Sequence, residues 1–132
     1  MEHLSLKQDL HLIGIHVPAF PHGIQEAFTG LMKALGDGHE YYGVSWMDNN
    51  DRVMYYAMAT ESFPGEGRSH QYESLTIEKG NYKIEAVHDW MSKTECIKDV
   101  FHRLTAGSKP VKSRPCVEWY KSDKEMLCMI KA

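Results

Sequence analysis

Hydrophobic and polar residues alternate in two parts of the chain, and each part predicts a pair of antiparallel strands. In residues 40–47 and 52–60, an aromatic strand leads into a turn rich in Asp and Asn, and a second apolar strand follows. Residues 115–121 and 126–131 repeat this order around a turn of Ser, Asp and Lys. The pattern is typical of a β-hairpin, and its repetition predicts a chain built from two related halves.

A helix is predicted before each hairpin. Between residues 23 and 35, apolar side chains recur at steps of three and four, as they do along one face of a helix. A second helix is predicted to begin near Ser92, with Glu95 three residues later as the partner in a capping box. Extended apolar runs at residues 11–17 and 82–89 predict one more strand before each helix.

The order strand, helix, strand, strand therefore occurs twice, in half-repeats of about residues 8–62 and 70–132, joined by a connector with one proline and two glycines. We expect a single α+β domain over residues 1–132 with an antiparallel sheet. The halves should be related by a pseudo-two-fold axis that makes Trp46 equivalent to Trp119. A ligand cleft is expected between them, because small-molecule sites collect at such interfaces.

Charge and hydropathy narrow the class of protein. The formal net charge is −3 at pH 7, which argues against direct nucleic-acid binding. No apolar run approaches the roughly 20 residues of a membrane span, and the first residues lack the features of a secretory signal. We therefore expect a cytoplasmic protein that does not associate with membranes.

Metal and cofactor chemistry finds no motif in the chain. The eight histidines and three cysteines do not form His-Glu-x-x-His or Cys-x-x-Cys. No Gly-x-Ser-x-Gly elbow and no glycine-rich phosphate loop is present in the sequence. The expectation is no metal and no cofactor.

A single carboxylate interrupts the strand at residues 115–121. Alternation places Cys116, Glu118 and Tyr120 on one face and Trp119 on the other. If the Glu118 face points inward, an acid lies beside an aromatic ring with little water, and folds keep such an acid when it has a partner or a purpose. Alternation alone leaves the opposite orientation open, with Glu118 in water and Trp119 in the core.

Aromatic residues are dense on the predicted strands. Seven Tyr and three Trp occur in 132 residues. They have two interpretations: a sheet face built from residues with high β-propensity, or a pocket lined with rings. Rings around one carboxylate would suit a lipophilic cation, because ring faces attract positive charge when water is excluded.

Several motifs together resemble a known family. They are Tyr42-Gly43, the strand of residues 55–59, the strand start at residues 77–82, and Pro-x-x-Glu-x-Tyr at residues 115–120. With this pattern the chain resembles the effector-binding domain of bacterial AraC/XylS-type transcription activators, also called the GyrI-like small-molecule-binding domain. The match spans nearly the whole chain, and Pro-x-x-Glu-x-Tyr is its most specific motif.

The resemblance implies a pseudo-symmetric fold with a ligand cleft, in which Glu118 meets the charge of cationic, hydrophobic ligands. Some members recognise many drugs and dyes, and some are hydrolases of strained ring compounds. Where many members have a glycine, this chain has His88-Asp89-Trp90, which predicts a narrower pocket wall. The sequence has no helix-turn-helix, so a role in transcription regulation would need a DNA-binding protein as partner.

The function predicted is a stand-alone binding protein for lipophilic, cationic small molecules, and it is favoured over an enzyme. The alternative is a small hydrolase of strained electrophilic compounds in which Glu118 is the general base. The sequence offers no second group clearly placed to complete a catalytic pair. The predicted ligand-binding residues are Glu118, Tyr120, Tyr55, Tyr82, Trp90 and Phe101.

Overall fold

The computed structural model describes residues 2–132, which form eight strands, three α-helices and two 3-10 turns. The strands are β1 (Glu2–Leu6), β2 (Leu10–His16), β3 (Tyr41–Met47), β4 (Val53–Thr60), β5 (Glu73–Ile77), β6 (Gly80–His88), β7 (Cys116–Tyr120) and β8 (Glu125–Lys131). The helices are α1 (Ile24–Leu35), α2 (Glu66–Ser69) and α3 (Ile97–Leu104), and the 3-10 turns are Trp90–Ser92 and Thr94–Cys96.

All eight strands belong to one antiparallel sheet in the order β1-β6-β8-β7-β3-β4-β2-β5. The sheet curls into a half-barrel, and the predicted α+β class with an antiparallel sheet is confirmed. Within residues 2–132, no helix is long and apolar enough to cross a membrane.

The two predicted units are β2-α1-β3-β4 and β6-α3-β7-β8, and they meet where β3 pairs with β7 in the middle of the sheet. Each unit is preceded by one more strand that crosses to the other unit. β1 pairs with β6, and β5 pairs with β2. The sequence pattern did not predict β1, because its apolar residues are half exposed on an edge of the sheet.

The strand registers identify counterpart residues in the two units. Pairing runs inward from β1 through β6 and β8 to β7, and from β5 through β2 and β4 to β3. When β1 is matched to β5 end to end, the registers of the strands between them assign each residue of one unit a counterpart in the other. At the centre of the sheet, Gly43 is the counterpart of Glu118 and is also paired with it. The counterpart of Trp119 is then Val44, and Trp46 corresponds to a position just beyond β7. The expected equivalence of Trp46 and Trp119 is therefore wrong, because the β3–β4 hairpin extends further past the central pair.

Both faces of the sheet are buried, but by different partners. On one face α1 packs on β4, and α3 packs on β6 and β8. The other face closes on itself through the curl, and its core consists of Leu12, Tyr42, Val44, Trp46, Met58, Ile77, Tyr82, Ile84, Val117, Leu127 and Met129. A strand in the middle of this sheet therefore carries apolar residues on both sides, which conceals its orientation in the sequence.

The second long helix begins later than predicted. The hydroxyl of Ser92 donates to the carbonyl and to Oδ2 of Asp89, both at 2.9 Å, and does not cap a following helix. Residues 90–96 form the two 3-10 turns, and α3 starts at Ile97. The expected capping box of Ser92 and Glu95 is therefore not formed.

Candidate functional site

The strands β7 and β3 lie between the strand covered by α1 and the strand covered by α3. We call this strip of the helix-covered face the central groove. Its floor contains Glu118 at the middle of β7, and the Glu118 side chain is half-buried. Trp119 points to the opposite face and packs against the curled core. The structure therefore places Glu118 on the helix side and Trp119 in the other core.

One oxygen of Glu118 is held by two phenols. The hydroxyl of Tyr120 donates to Oε1 at 2.7 Å, and the hydroxyl of Tyr55 donates to the same oxygen at 3.0 Å. The two hydroxyl oxygens lie 3.2 Å apart. Tyr55 is 2% exposed. It lies on β4, whereas Glu118 and Tyr120 lie on β7 in the other unit, so the carboxylate connects both units of the fold.

Burial dominates the protonation of this group. It raises the pKa of the Glu118 carboxyl above its ordinary value of 4.5, while the hydrogen bonds from Tyr120 and Tyr55 act to lower it. Burial is the largest cause that holds the pKa of Tyr55 and of Tyr120 well above 10.0, and the negative charge of Glu118 is the second. The phenols therefore keep their protons and act as donors to the carboxylate.

Gly43 makes room for this arrangement. It faces Glu118 across the β3–β7 pair, and a Cβ atom at this position would collide with the hydroxyl of Tyr55 and with Oε1 of Glu118. An atom there would have to displace a fully buried ring and the carboxylate together. The absence of a side chain at Gly43 is thus a requirement of the hydrogen-bonded cluster.

Gly43→Ala should therefore destabilise the protein by about 1–3 kcal/mol, the range for overpacking a buried site. The measurement is urea unfolding, with ligand binding as a second readout. Gly30→Ala is the matched control, because a Cβ at Gly30 on α1 meets nothing within 4 Å. That control should be neutral or more stable by up to about 1 kcal/mol, as alanine is favoured in helices. Equal stability of Gly43→Ala and the parent would show that the cluster can move aside.

Aromatic rings surround the cluster. The Tyr120 ring lies against Phe28 of α1 and against Trp90, with centroids 5.3 Å and 4.9 Å apart. Phe20 stacks on Tyr55 at 4.8 Å. Sequence reasoning did not select Phe20 or Phe28. Phe28 belonged to the predicted apolar stripe of the first helix, and nothing in the sequence told that the stripe reaches across to β7.

The structure brings most of the six predicted residues together. Glu118, Tyr55 and Tyr120 are in hydrogen-bond contact, and Trp90 contacts Tyr120. Phe101 of α3 packs against the same apolar core as Tyr120 and Trp90. Tyr82 is an exception.

Tyr82 lies on the opposite face of the sheet, in the curled core, where its hydroxyl donates to the carbonyl of Glu78 at 2.6 Å. The structure therefore does not bring Tyr82 to Glu118. Alternation along β6 fixes which residues share a face, but it does not say which face belongs to Glu118 on another strand.

Glu118 forms no ion pair within residues 2–132, since none of the ion pairs of Lys, Arg or His involves this carboxylate. Over the same residues, no group of three His, Cys, Asp or Glu side chains is arranged to hold a metal ion. The hydrogen-bond partners of Glu118 are the two phenols, and both of them bond to Oε1.

Two concave regions lie away from the central groove. A cavity of about 70 Å³ next to Tyr82 is lined by Lys112 and Lys131, and Lys131 pairs with Glu78 at 3.6 Å. A wider depression of about 540 Å³ follows β1 and β6. Neither region combines an unpaired buried charge with aromatic walls, so the central groove is the better candidate site.

The chain is thus an α+β protein whose two long helices flank a groove with one carboxylate at its floor. It shares its fold with SAV2435, solved bound to tetraphenylphosphonium, at a TM-score of 0.65 and 16% identity over 100% of this chain and 95% of that one. It also shares the fold of the integron cassette protein VCH_CASS2 from the mobile metagenome of Vibrio cholerae, with a TM-score of 0.63 and 10% identity over 98% and 94%.

A hydrolase encoded by lin2189 from Listeria innocua has the same fold at a TM-score of 0.56 and 12% identity, over 98% of this chain and 89% of that one. No family model matches the chain, and no curated protein is significantly similar to it. Because all of these identities are low, the similarity establishes the fold and nothing beyond it.

Proposed function

We propose that this protein binds lipophilic, cationic small molecules in the central groove, with Glu118 as the counter-charge. The observation that carries the proposal is a half-buried carboxylate that pairs with no cation within residues 2–132 and is held by two phenols at the junction of the two units. A carboxylate in such a place costs folding free energy, so a bound cation would supply the missing partner.

The walls of the groove support the same ligand class. Phe20 stacks on Tyr55, and Phe28 and Trp90 pack on Tyr120, so aromatic rings lie next to both phenols that hold Glu118. Rings contribute apolar contact area, and their faces attract a cation by about 0.5–2 kcal/mol each, more strongly where water is excluded. A lipophilic cation benefits from both effects. A strongly hydrated cation would have to lose its water shell to make the same contacts, which costs free energy.

The neighbour SAV2435 adds a precedent on this fold, because it was solved with tetraphenylphosphonium bound. The proposal for our chain rests on Glu118 and its rings. The DNA-binding partner implied by the family resemblance stays a prediction.

Two ions of the same shape and opposite charge test the proposal. Titration calorimetry with tetraphenylphosphonium and with tetraphenylborate compares ligands that differ mainly in the sign of their charge. The cation should bind at least about tenfold more tightly, since a charge pair that is partly desolvated contributes about 1.5–3 kcal/mol. Equal affinities, or tighter binding of the borate, would contradict the proposal.

A hydrolase is the second candidate, favoured by the raised pKa of Glu118 and by the lin2189 hydrolase on the same fold. A carboxylate with a raised pKa is a better general base, and here it could activate water for the opening of a strained ring. In epoxide hydrolysis, water adds across the C–O bond and gives a diol. Turnover of styrene oxide that disappears in Glu118→Gln would favour this candidate, and no turnover in either protein would exclude that substrate.

A further inference from the structure

The hydrogen bonds of the central groove define its ligand more narrowly. Resting on the function proposed above, we infer that the site selects cations that carry an N–H group, such as protonated amines and amidines, over quaternary cations of the same size. The inference comes from which polar atoms of the groove are already occupied and which atom is free.

Three side-chain donors around Glu118 are committed. Tyr120 and Tyr55 each have one hydroxyl proton, and both protons point to Oε1 of Glu118. The indole N–H of Trp90 donates to the backbone carbonyl of Ser122 at 2.9 Å. A ligand that brings another hydrogen-bond acceptor would find no free donor among these three side chains.

The free atom is an acceptor. Oε2 of Glu118 has no hydrogen-bond partner within residues 2–132. Oε2 is also not fully buried. Among residues 2–132, the one side-chain polar atom that is both fully buried and without a partner is Nδ1 of His39. Oε2 is therefore accessible as a charged acceptor with unused lone pairs.

An N–H cation and a quaternary cation use such an oxygen differently. A protonated amine places its nitrogen about 2.7–2.9 Å from a carboxylate oxygen through a charge-assisted hydrogen bond. A quaternary nitrogen is shielded by four carbon groups, so its charge stays further away and the acceptor gains no hydrogen bond. The Oε2 atom therefore adds a directional contact that only the N–H cation can use.

A matched ligand pair tests this inference. N,N-dimethyl-1-(biphenyl-4-yl)methanamine is protonated at pH 7, and its N-methyl derivative is the quaternary ion with one more methyl group. Titration calorimetry with the parent protein should give at least about tenfold tighter binding of the protonated amine, the size expected for one hydrogen bond to a charged group.

The variant Glu118→Gln separates hydrogen bonding from size. The two phenols would hold the amide oxygen, which turns the NH₂ group toward the groove and replaces the acceptor with a donor. The preference for the protonated amine should then disappear. If the ratio of affinities persists in Glu118→Gln, the extra methyl group causes it by steric exclusion, and the inference is overturned.

Two further outcomes separate this inference from the proposed function. If both ligands bind the parent equally and both weaken in Glu118→Gln, the cation site stands and the N–H selectivity is wrong. If neither cation binds, or if both bind the parent and the variant alike, the proposed function fails and the inference fails with it.

Discussion

Replacing Glu118 with glutamine should weaken the binding of tetraphenylphosphonium by at least about tenfold and should not weaken the binding of tetraphenylborate. Glutamine keeps the size of the side chain and removes its charge. The loss corresponds to a charge pair of about 1.5–3 kcal/mol in a poorly hydrated groove, whereas the anion loses only a repulsion. Titration calorimetry of both ions against parent and variant measures the two effects directly.

The matched control is Glu73→Gln, which removes the same charge from an exposed position on the edge strand β5, four strands away from β7. At moderate salt its effect on both ions should be small, because distant exposed charges are screened. Equal losses in the two variants would mean that overall charge, and not the groove, attracts the cation. Unchanged binding in Glu118→Gln would remove Glu118 from the site.

The second large effect is expected in the stability of the protein without ligand. Burial raises the pKa of Glu118 in the folded chain above the ordinary value of 4.5, so the folded chain holds this proton more tightly than the unfolded chain. Stability from this group is therefore full below the ordinary pKa, falls as the pH rises through the raised pKa, and is constant above it. Each unit of difference between the two pKa values corresponds to about 1.4 kcal/mol.

Glutamine does not titrate. The free energy of unfolding of Glu118→Gln, relative to that of the parent, should therefore increase as the pH rises through this window. Urea unfolding of both proteins between pH 4 and pH 8 measures the difference. Glu73→Gln is again the control, because it removes one carboxylate from an exposed position. If the parent instead becomes more stable relative to Glu118→Gln as the pH rises, the two phenols stabilise the ionised carboxylate by more than burial destabilises it.

The parts of this fold that depend on local pattern could be predicted from the sequence. The hairpins and α1 follow from alternation and from helical spacing, and Glu118 and Tyr120 were placed on one face because they are two residues apart on one strand. The family resemblance, carried by Pro-x-x-Glu-x-Tyr, pointed to the same carboxylate. These predictions needed nothing beyond neighbouring residues.

Relations between distant strands could not be predicted in this way. Tyr82 lies on the face of the sheet opposite Glu118. The sequence could not indicate this, because no local signal links the alternation of β6 to that of β7. Gly43 is essential to the cluster only because the register places it opposite Glu118. The crossing of β1 to β6 is likewise a long-range pairing, and an exposed edge strand carries little hydrophobic pattern.

The pairing of Gly43 with Glu118 has a consequence for how such a site can arise. Both residues occupy the same place in their units, on the axis that relates them. A symmetric assembly of two identical chains could put either two glycines there or two glutamates, and like charges directly opposite each other in a sheet repel. Joining both units in one polypeptide lets one position keep its acid while the other gives up its side chain. A single central charge, with space beside it, is available to a fused chain and not to a homodimer.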